Sequence, residues 1–352
     1  MQSAAHEHSA NLSRCRAGAA ILALALLPAP ASGAVAQGTG DKARELTLSI
    51  AVGPAFALGK AGERWAKLVV EKSGGKLTIQ LRPGAILSER DPAREFIALR
   101  DAVADLAVGS TLYWSAQVRA LGVVGLPWIA AEDAQLAALT TGAMKEKLMA
   151  AVLASGAIPL ALAPLGHREL ATIGEPVRSP DDIAGRAVRI VSTPYLVDLY
   201  AGLGARPQAM ALADAISAFR SGKLDAQEGA PATFAAARLD AVGVRHVTLW
   251  GAVAEVAIFA VNRVVWERSS EVERSIMSGA AEQAAQELAE LARAENDAAL
   301  GELRKRGVSI LRLTPSGQAA FAAAARPVYE KWAGIAGDEI VRAAEAAVSA
   351  VR

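Results

Sequence analysis

The chain has 352 residues, 53% of them hydrophobic and 21% charged, a globular composition at a length beyond one ordinary core, so two domains are expected. Its 37 basic and 36 acidic side chains are interspersed, which argues against a nucleic-acid partner, because such a partner calls for a basic surplus on one face. The single cysteine, Cys15, lies in the leader segment, so disulfide, thiolate and cysteine–zinc chemistry are excluded from the rest of the chain.

Residues 1–36 read as a secretory signal peptide. Arg14 and Arg16 precede the apolar run 19–27, Pro28 and Pro30 end it, and Ala34-Val35-Ala36 is a small-x-small cleavage site that puts the mature start near Gln37. The run is shorter than the ~20 residues a membrane span requires, so the protein is not expected to be membrane-inserted. Cys15 precedes the apolar run, whereas a lipid-modified cysteine would follow it. Removing Glu7, Arg14 and Arg16 leaves 35 basic and 35 acidic residues, a net charge of zero. Of the four histidines only His167 and His246 remain, and neither a metal site nor a cofactor is expected.

The mature chain opens with apolar alternation over 46–52, which predicts a strand, then Gly53-Pro54, then helical spacing over 57–72 closed by Ser73-Gly74-Gly75. A strand over 76–81, a turn at Pro83-Gly84, a helix over 91–100 with Pro92 near its start and a strand over 106–108 complete a parallel α/β pattern. In such sheets the ligand crevice lies beyond the carboxyl ends of the strands. That makes residues 53–56 and 109–114 candidate walls and Ser110 and Thr111 candidate hydrogen-bond donors; an ordinary helix cap explains the same two residues.

Further on, a helix is expected over 133–154, a strand over 158–163, and strands over 183–192 and 205–209 flanking a helix over 194–203. A helix over 213–221 and strands over 246–250 and 254–262 follow. Ala and Leu at helical spacing over 271–306, without a clean heptad, predict a long helix spanning both domains rather than a coiled coil. A strand over 308–313 and a helical region from Ser316 end the chain. Trp114, Trp128 and Trp250 are expected to pack in cores or walls.

Residues 185–194, Gly-Arg-Ala-Val-Arg-Ile-Val-Ser-Thr-Pro, read as a short strand that brings Arg189 to a strand end, followed by a helix start with Ser192 or Thr193 as N-cap and Pro194 at the first helical position. A guanidinium fork beside a helix N-terminus is an anion site in outline. Arg168 lies 21 positions earlier, and two arginines near one crevice point to a carboxylate rather than a neutral sugar. Either arginine could instead be half of a structural ion pair with Asp214 or Glu228, an alternative that weighs more on Arg168 than on Arg189.

The order of residues resembles the substrate-binding proteins of tripartite ATP-independent periplasmic (TRAP) transporters over nearly the whole mature chain. The marks are Val70-Glu71-Lys72-Ser73-Gly74-Gly75-Lys76, Leu81-Arg82-Pro83-Gly84, Val103-Ala104-Asp105-Leu106-Ala107-Val108 and Leu126-Pro127-Trp128. They continue with Gly166-His167-Arg168, the run from Ser179 to Arg189, Leu203-Gly204-Ala205-Arg206-Pro207 and Leu224-Asp225-Ala226-Gln227-Glu228. The resemblance implies an α/β periplasmic-binding-protein fold of two lobes linked by a long helix. The expected lobes are 37–165 with 253–292 and 166–252 with 293–352. It also implies a monomer that closes on an organic acid and delivers it to the membrane subunits of a permease. Hinges are expected near Leu165, near Val253 and within 290–297.

By the same resemblance Arg189 binds the ligand carboxylate, Arg168 supports it and Ser192 is a polar contact; from the residues themselves Glu228 is expected to support an arginine or, as the lesser alternative, to contribute to a cation site. Gly229 stands where relatives carry an asparagine that touches the ligand, and Leu212 where they carry a ring, which implies a wider, more apolar pocket there. Two other classes remain. One is a binding protein of similar shape serving a sensor or an ATP-driven importer; the other is a periplasmic enzyme, disfavoured because the chain beyond the leader has no cysteine, two histidines and no Gly-x-Ser-x-Gly elbow.

Overall fold

The computed structural model describes residues 43–351; the expected signal segment lies outside the described residues. Its strands are β1 (Arg44–Ile50), β2 (Leu77–Pro83), β3 (Leu106–Ser110), β4 (Ala157–Thr172), β5 (Ala187–Ile190), β6 (Arg206–Ala209), β7 (Ala226–Gly229), β8 (His246–Asn262) and β9 (Ser309–Arg312). They form one sheet in the order β2-β1-β3-β8-β4-β7-β5-β6, with β9 also on β8. The parallel pattern read from the first three strands holds, since β1 pairs in parallel with β2 and β3. A second parallel group, β7-β5-β6, lies at the other end. Between them β4 and β8, 16 and 17 residues long, run antiparallel, so the whole sheet is mixed.

These two strands are much longer than the sequence suggests, and the reason is local. Pro159, Pro164, Gly166 and Gly251 read as strand ends, because proline has no N–H for the ladder and glycine weakens a strand interior. The chain instead carries the strand through each of them with register shifts, between Pro159 and Ala161, Pro164 and Gly166, and Arg168 and Leu170. At the last shift β8 runs long, and the Glu169 carboxylate accepts hydrogen bonds from the freed amides of Trp250 and Gly251 at 2.8 and 3.3 Å. Gly251 has φ +63°, and a Cβ there would meet the Ala131 carbonyl oxygen at 2.6 Å, so this kink requires glycine.

The helices that place the site are α1 (Ala57–Lys72), α2 (Glu95–Arg100), α3 (Pro194–Gly202), α4 (Leu212–Arg220), α5 (Pro231–Ala236) and α6 (Glu271–Lys305). Two expectations are corrected. The helix over 133–154 is two helices, Asp133–Leu139 and Gly142–Ala154, divided where Gly142 takes φ +52°. Ile183 belongs not to a strand but to a short helix, Pro180–Ile183, started by a Ser179–Asp182 capping box. The long helix α6 is one 35-residue element, begun by a Ser270–Glu273 capping box.

Its buried face is made of small residues, Ala280, Ala281, Ala284 and Ala285, which lets α6 approach the α1 side of the sheet closely. Trp65 of α1 anchors that contact, its Nε1 donating to the Met277 carbonyl at 3.1 Å. Apolar clusters cover both faces of each half of the sheet. Trp114, Trp128 and Trp250 are buried in these clusters, as expected. Among the described residues no helix is long and apolar enough to cross a membrane.

Candidate functional site

Strand β5 alternates so that Arg189 and its ladder partners Gln208 and Gln227 stand at the carboxyl end of the second parallel group. The chain then turns into α3, whose N-cap is Thr193, with its Oγ1 accepting from the Leu196 amide at 3.4 Å and Pro194 at the first helical position. Arg189 is 5% exposed. Its Nε and Nη2 both donate to the Met210 carbonyl, at 3.0 and 2.9 Å, which fixes the fork in one plane. Among the described residues it forms no ion pair. Burial lowers its pKa from the ordinary value, Glu228 opposes that, and the like charge of Arg168 adds to it. The guanidinium is thus buried, oriented and short of an anion.

Arg168, on β4, is in the opposite condition. Its Nε and Nη2 meet the two Glu228 oxygens at 2.6 and 3.1 Å, and its Nη1 meets Glu255 Oε2 at 3.0 Å. Glu228 Oε1 also accepts from the Val191 amide at 2.9 Å, so one carboxylate ties β4 to the loop that follows Arg189. With two carboxylates on one guanidinium, the structural ion-pair reading of Arg168 holds, with Glu228 and Glu255 as the partners rather than Asp214.

Both arginines line a cavity of about 290 Å³. Its wall is largely apolar, with Val52, Phe56, Leu58, Leu165 and Leu212 among the lining, and Ser110 and Gly229 open onto it as well. Gly109, on the same wall, has no room for a side chain, because a Cβ would lie 2.0 Å from the Trp114 ring. His167 lines the cavity too; its Nε2 lies 2.9 Å from the Ala130 carbonyl, which only accepts, so that nitrogen carries the proton.

Three of the residues singled out from the sequence stand elsewhere. Ser192 is exposed and borders a separate depression with Tyr195 and Trp332. Thr111 opens the short helix Thr111–Trp114 after β3 and is buried, its Oγ1 accepting from the Val256 amide of β8 at 3.1 Å. Glu228 is fully buried behind the wall, holding Arg168.

Sequence reasoning missed Glu95 and Glu255, which line the cavity together with Tyr113 of the expected wall 109–114. Glu255 had a signal, since it is the one charge in the apolar run 247–261. Glu95 had a fainter one: it shares the buried face of α2 with Phe96, Ala98 and Leu99. Burial pushes the Tyr113 hydroxyl up to about 12, so it stays neutral. Among the described residues no cluster of His, Cys, Asp or Glu is arranged to hold a metal ion.

A two-lobed sheet with a buried guanidinium facing a small cavity defines a solute-binding protein. Residues 48–334 match the model of the bacterial extracellular solute-binding protein family 7, and the chain belongs to that family, the TRAP solute-binding proteins, which are transport proteins and not enzymes. The crystal structure of a TRAP periplasmic solute-binding protein from Ralstonia eutropha, with bound (S)-2-acetolactate, is 39% identical with a TM-score of 0.83, over 87% of this chain and 98% of that one. One from Ochrobactrum anthropi is 27% identical with a TM-score of 0.81, over 88% and 96%. The C4-dicarboxylate-binding periplasmic protein DctP of Rhodobacter capsulatus is 26% identical over 86% of this chain and 91% of its own.

Proposed function

We propose that this chain captures a short organic acid in the periplasm, seating its carboxylate on Arg189, closes two lobes over it and presents it to the membrane subunits of a TRAP permease. The observation that carries the reading is the state of Arg189: a buried guanidinium, locked by the Met210 carbonyl and without a carboxylate partner among the described residues. An incoming carboxylate supplies the missing counter-charge and accepts a charge-assisted bond from the guanidinium. Arg168 serves as a positioning residue, since its own charge is taken up by Glu228 and Glu255.

Ser110, Leu212 and Gly229 complete the wall around the ligand. A cavity of about 290 Å³ suits a small acid, and the 39%-identical Ralstonia protein holds (S)-2-acetolactate, which carries one carboxylate. The lobes are 37–165 with 253–292 and 166–252 with 293–352. The test is to denature the purified protein and identify the released solute by mass spectrometry. A carboxylic acid near one equivalent is expected, and recovery of a neutral solute would overturn the assignment.

A further inference from the structure

A second depression adjoins the Arg189 cavity. Its volume is about 370 Å³, and its wall is largely apolar, with Leu112, Pro194, Tyr195, Trp332 and Ile335 among the lining. Arg119, Ser192 and Ile335 on it are exposed, whereas Arg189 and Glu95 in the first cavity are 5% and 1% exposed. The depression is thus an outer chamber and the Arg189 cavity an inner one.

The two have one lining residue in common, Tyr113. They also meet along two chain segments: Pro92 and Val191 line the inner cavity, and the residues that follow them, Ala93 and Ser192, line the outer chamber. The Tyr113 side chain therefore stands in the partition. It is held there by its neighbours in the helix Thr111–Trp114, whose other three residues are buried, Leu112 in one apolar cluster and Trp114 in another. The Tyr113 ring packs against the Trp114 cluster. Burial outweighs the fields of Arg168, Glu255, Glu228 and Arg189 at its hydroxyl and keeps it neutral, so the partition presents a ring and not a counter-ion.

We propose that Tyr113 sets the length of acid this protein accepts: its ring closes the Arg189 cavity against the outer chamber, so that a short acid ends at the ring and one whose tail has to pass it is rejected. The inference rests on Arg189 as the carboxylate seat and adds a limit at the ligand's other end. Selection of this kind works through a clash built against the longer ligand, not through a better contact to the shorter one. One side chain carries the limit, because the space beyond the ring already exists and its apolar wall can take methylenes out of water.

Calorimetric titration with butanoate, hexanoate and octanoate tests this with the head group held constant. In the wild-type protein octanoate binds more weakly than butanoate. In Tyr113→Ala the octanoate-to-butanoate affinity ratio rises by roughly tenfold or more, since each methylene newly taken from water is worth roughly fourfold. Tyr113→Phe, which keeps the ring and drops the hydroxyl, still discriminates against octanoate. Ala93→Trp added to Tyr113→Ala fills the outer chamber and abolishes the gain. Where Tyr113→Ala does not fold, Tyr113→Leu, which keeps an apolar side chain against the Trp114 cluster, carries the same expectation. Butanoate binding that is lost in Arg189→Ala, together with an octanoate-to-butanoate ratio equal in the wild type and the folded Tyr113 variants, overturns the length limit and leaves the carboxylate seat standing. Failure of every acid to bind the wild-type protein overturns both.

Discussion

Two arginines on one cavity wall look alike in the sequence and behave differently in the structure, and the difference is measurable. Arg168 is bracketed by Glu228 and Glu255, so Arg168→Ala leaves two largely buried carboxylates uncompensated and is expected to cost about 3 to 5 kcal/mol of stability. Arg189 has only a carbonyl partner, and burial already works against its charge. Arg189→Ala is therefore expected to leave the ligand-free melting temperature nearly unchanged while weakening acid binding by roughly a hundred- to several-thousandfold, the equivalent of about 3 to 5 kcal/mol. Arg189→Lys restores part of this, because an ammonium keeps the charge and loses the fork. Melting curves beside dissociation constants separate the two roles, and near-wild-type affinity in folded Arg189→Ala would remove the clamp.

Glu95 adds a pH signature at the same scale. Its folded carboxyl titrates at about 7 against 4.5 for the free group. Below the lower value both states are protonated and the burial carries no ionic cost. As pH rises from 4.5 to 7 the unfolded chain releases its proton first, so stability falls, by about 3 kcal/mol once pH is above 7. Glu95→Gln is thus expected to be more stable than wild type at pH 8 and equal to it near pH 4, as denaturant titrations at the two values will show. Equal stability at pH 8 would mean that Glu95 has found a partner or solvent.

The elements legible in the sequence were those whose signals are local. Helix α1 occupies the 57–72 span read from its periodicity, and α3 begins at Thr193-Pro194 as its cap residues indicate. Arg189 stood out because a strand end running into a capped helix is a local pattern. The extent of β4 and β8 was hidden, since prolines and glycines that punctuate a strand locally are overruled by pairing with distant residues. Glu228 was read as a candidate contact of the ligand or of an arginine, and its place behind the wall depends on Arg168, 60 positions away.

Contacts across elements were the least legible. Helix α1 starts at Phe56 without a side-chain cap. Its first amide, on Ala57, is instead satisfied by Glu295 Oε2 of α6 at 2.7 Å, and Lys60 joins the same carboxylate. Next along α6, Asn296 accepts from the Ala232 amide at the start of α5 at 3.2 Å and donates to the Leu165 carbonyl at 3.4 Å. One turn of the long helix therefore caps helices from both halves of the sheet. Glu295→Ala is expected to lower stability by about 1 kcal/mol, the value of a lost N-terminal cap, read as a shift in denaturant midpoint at constant slope. No shift would assign the α1 start to solvent.

At the scale of the whole molecule, the features that would let the halves move are the ones that lengthen the central strands. The register shift beside Leu165 and the irregular stretch of β8 from Leu249 to Ala252 lie near two of the positions where hinges are expected, while the third, 290–297, falls inside the continuous helix α6. Element ends and irregular strand positions absorb backbone rotation at little cost, whereas regular ladder does not. The cavity they flank is walled from both sides, by Ser110 and Glu95 from one half and by Arg189 and Leu212 from the other. A ligand that touches both walls has more contacts when the halves are closed, and that difference in affinity is what shifts the population. Small-angle scattering with saturating acid is therefore expected to show a smaller radius of gyration than the ligand-free protein, and the compaction should disappear in Arg189→Ala at the same acid concentration. An unchanged radius in the wild-type protein at saturation would require a rigid pocket, and capture by closure would have to be abandoned.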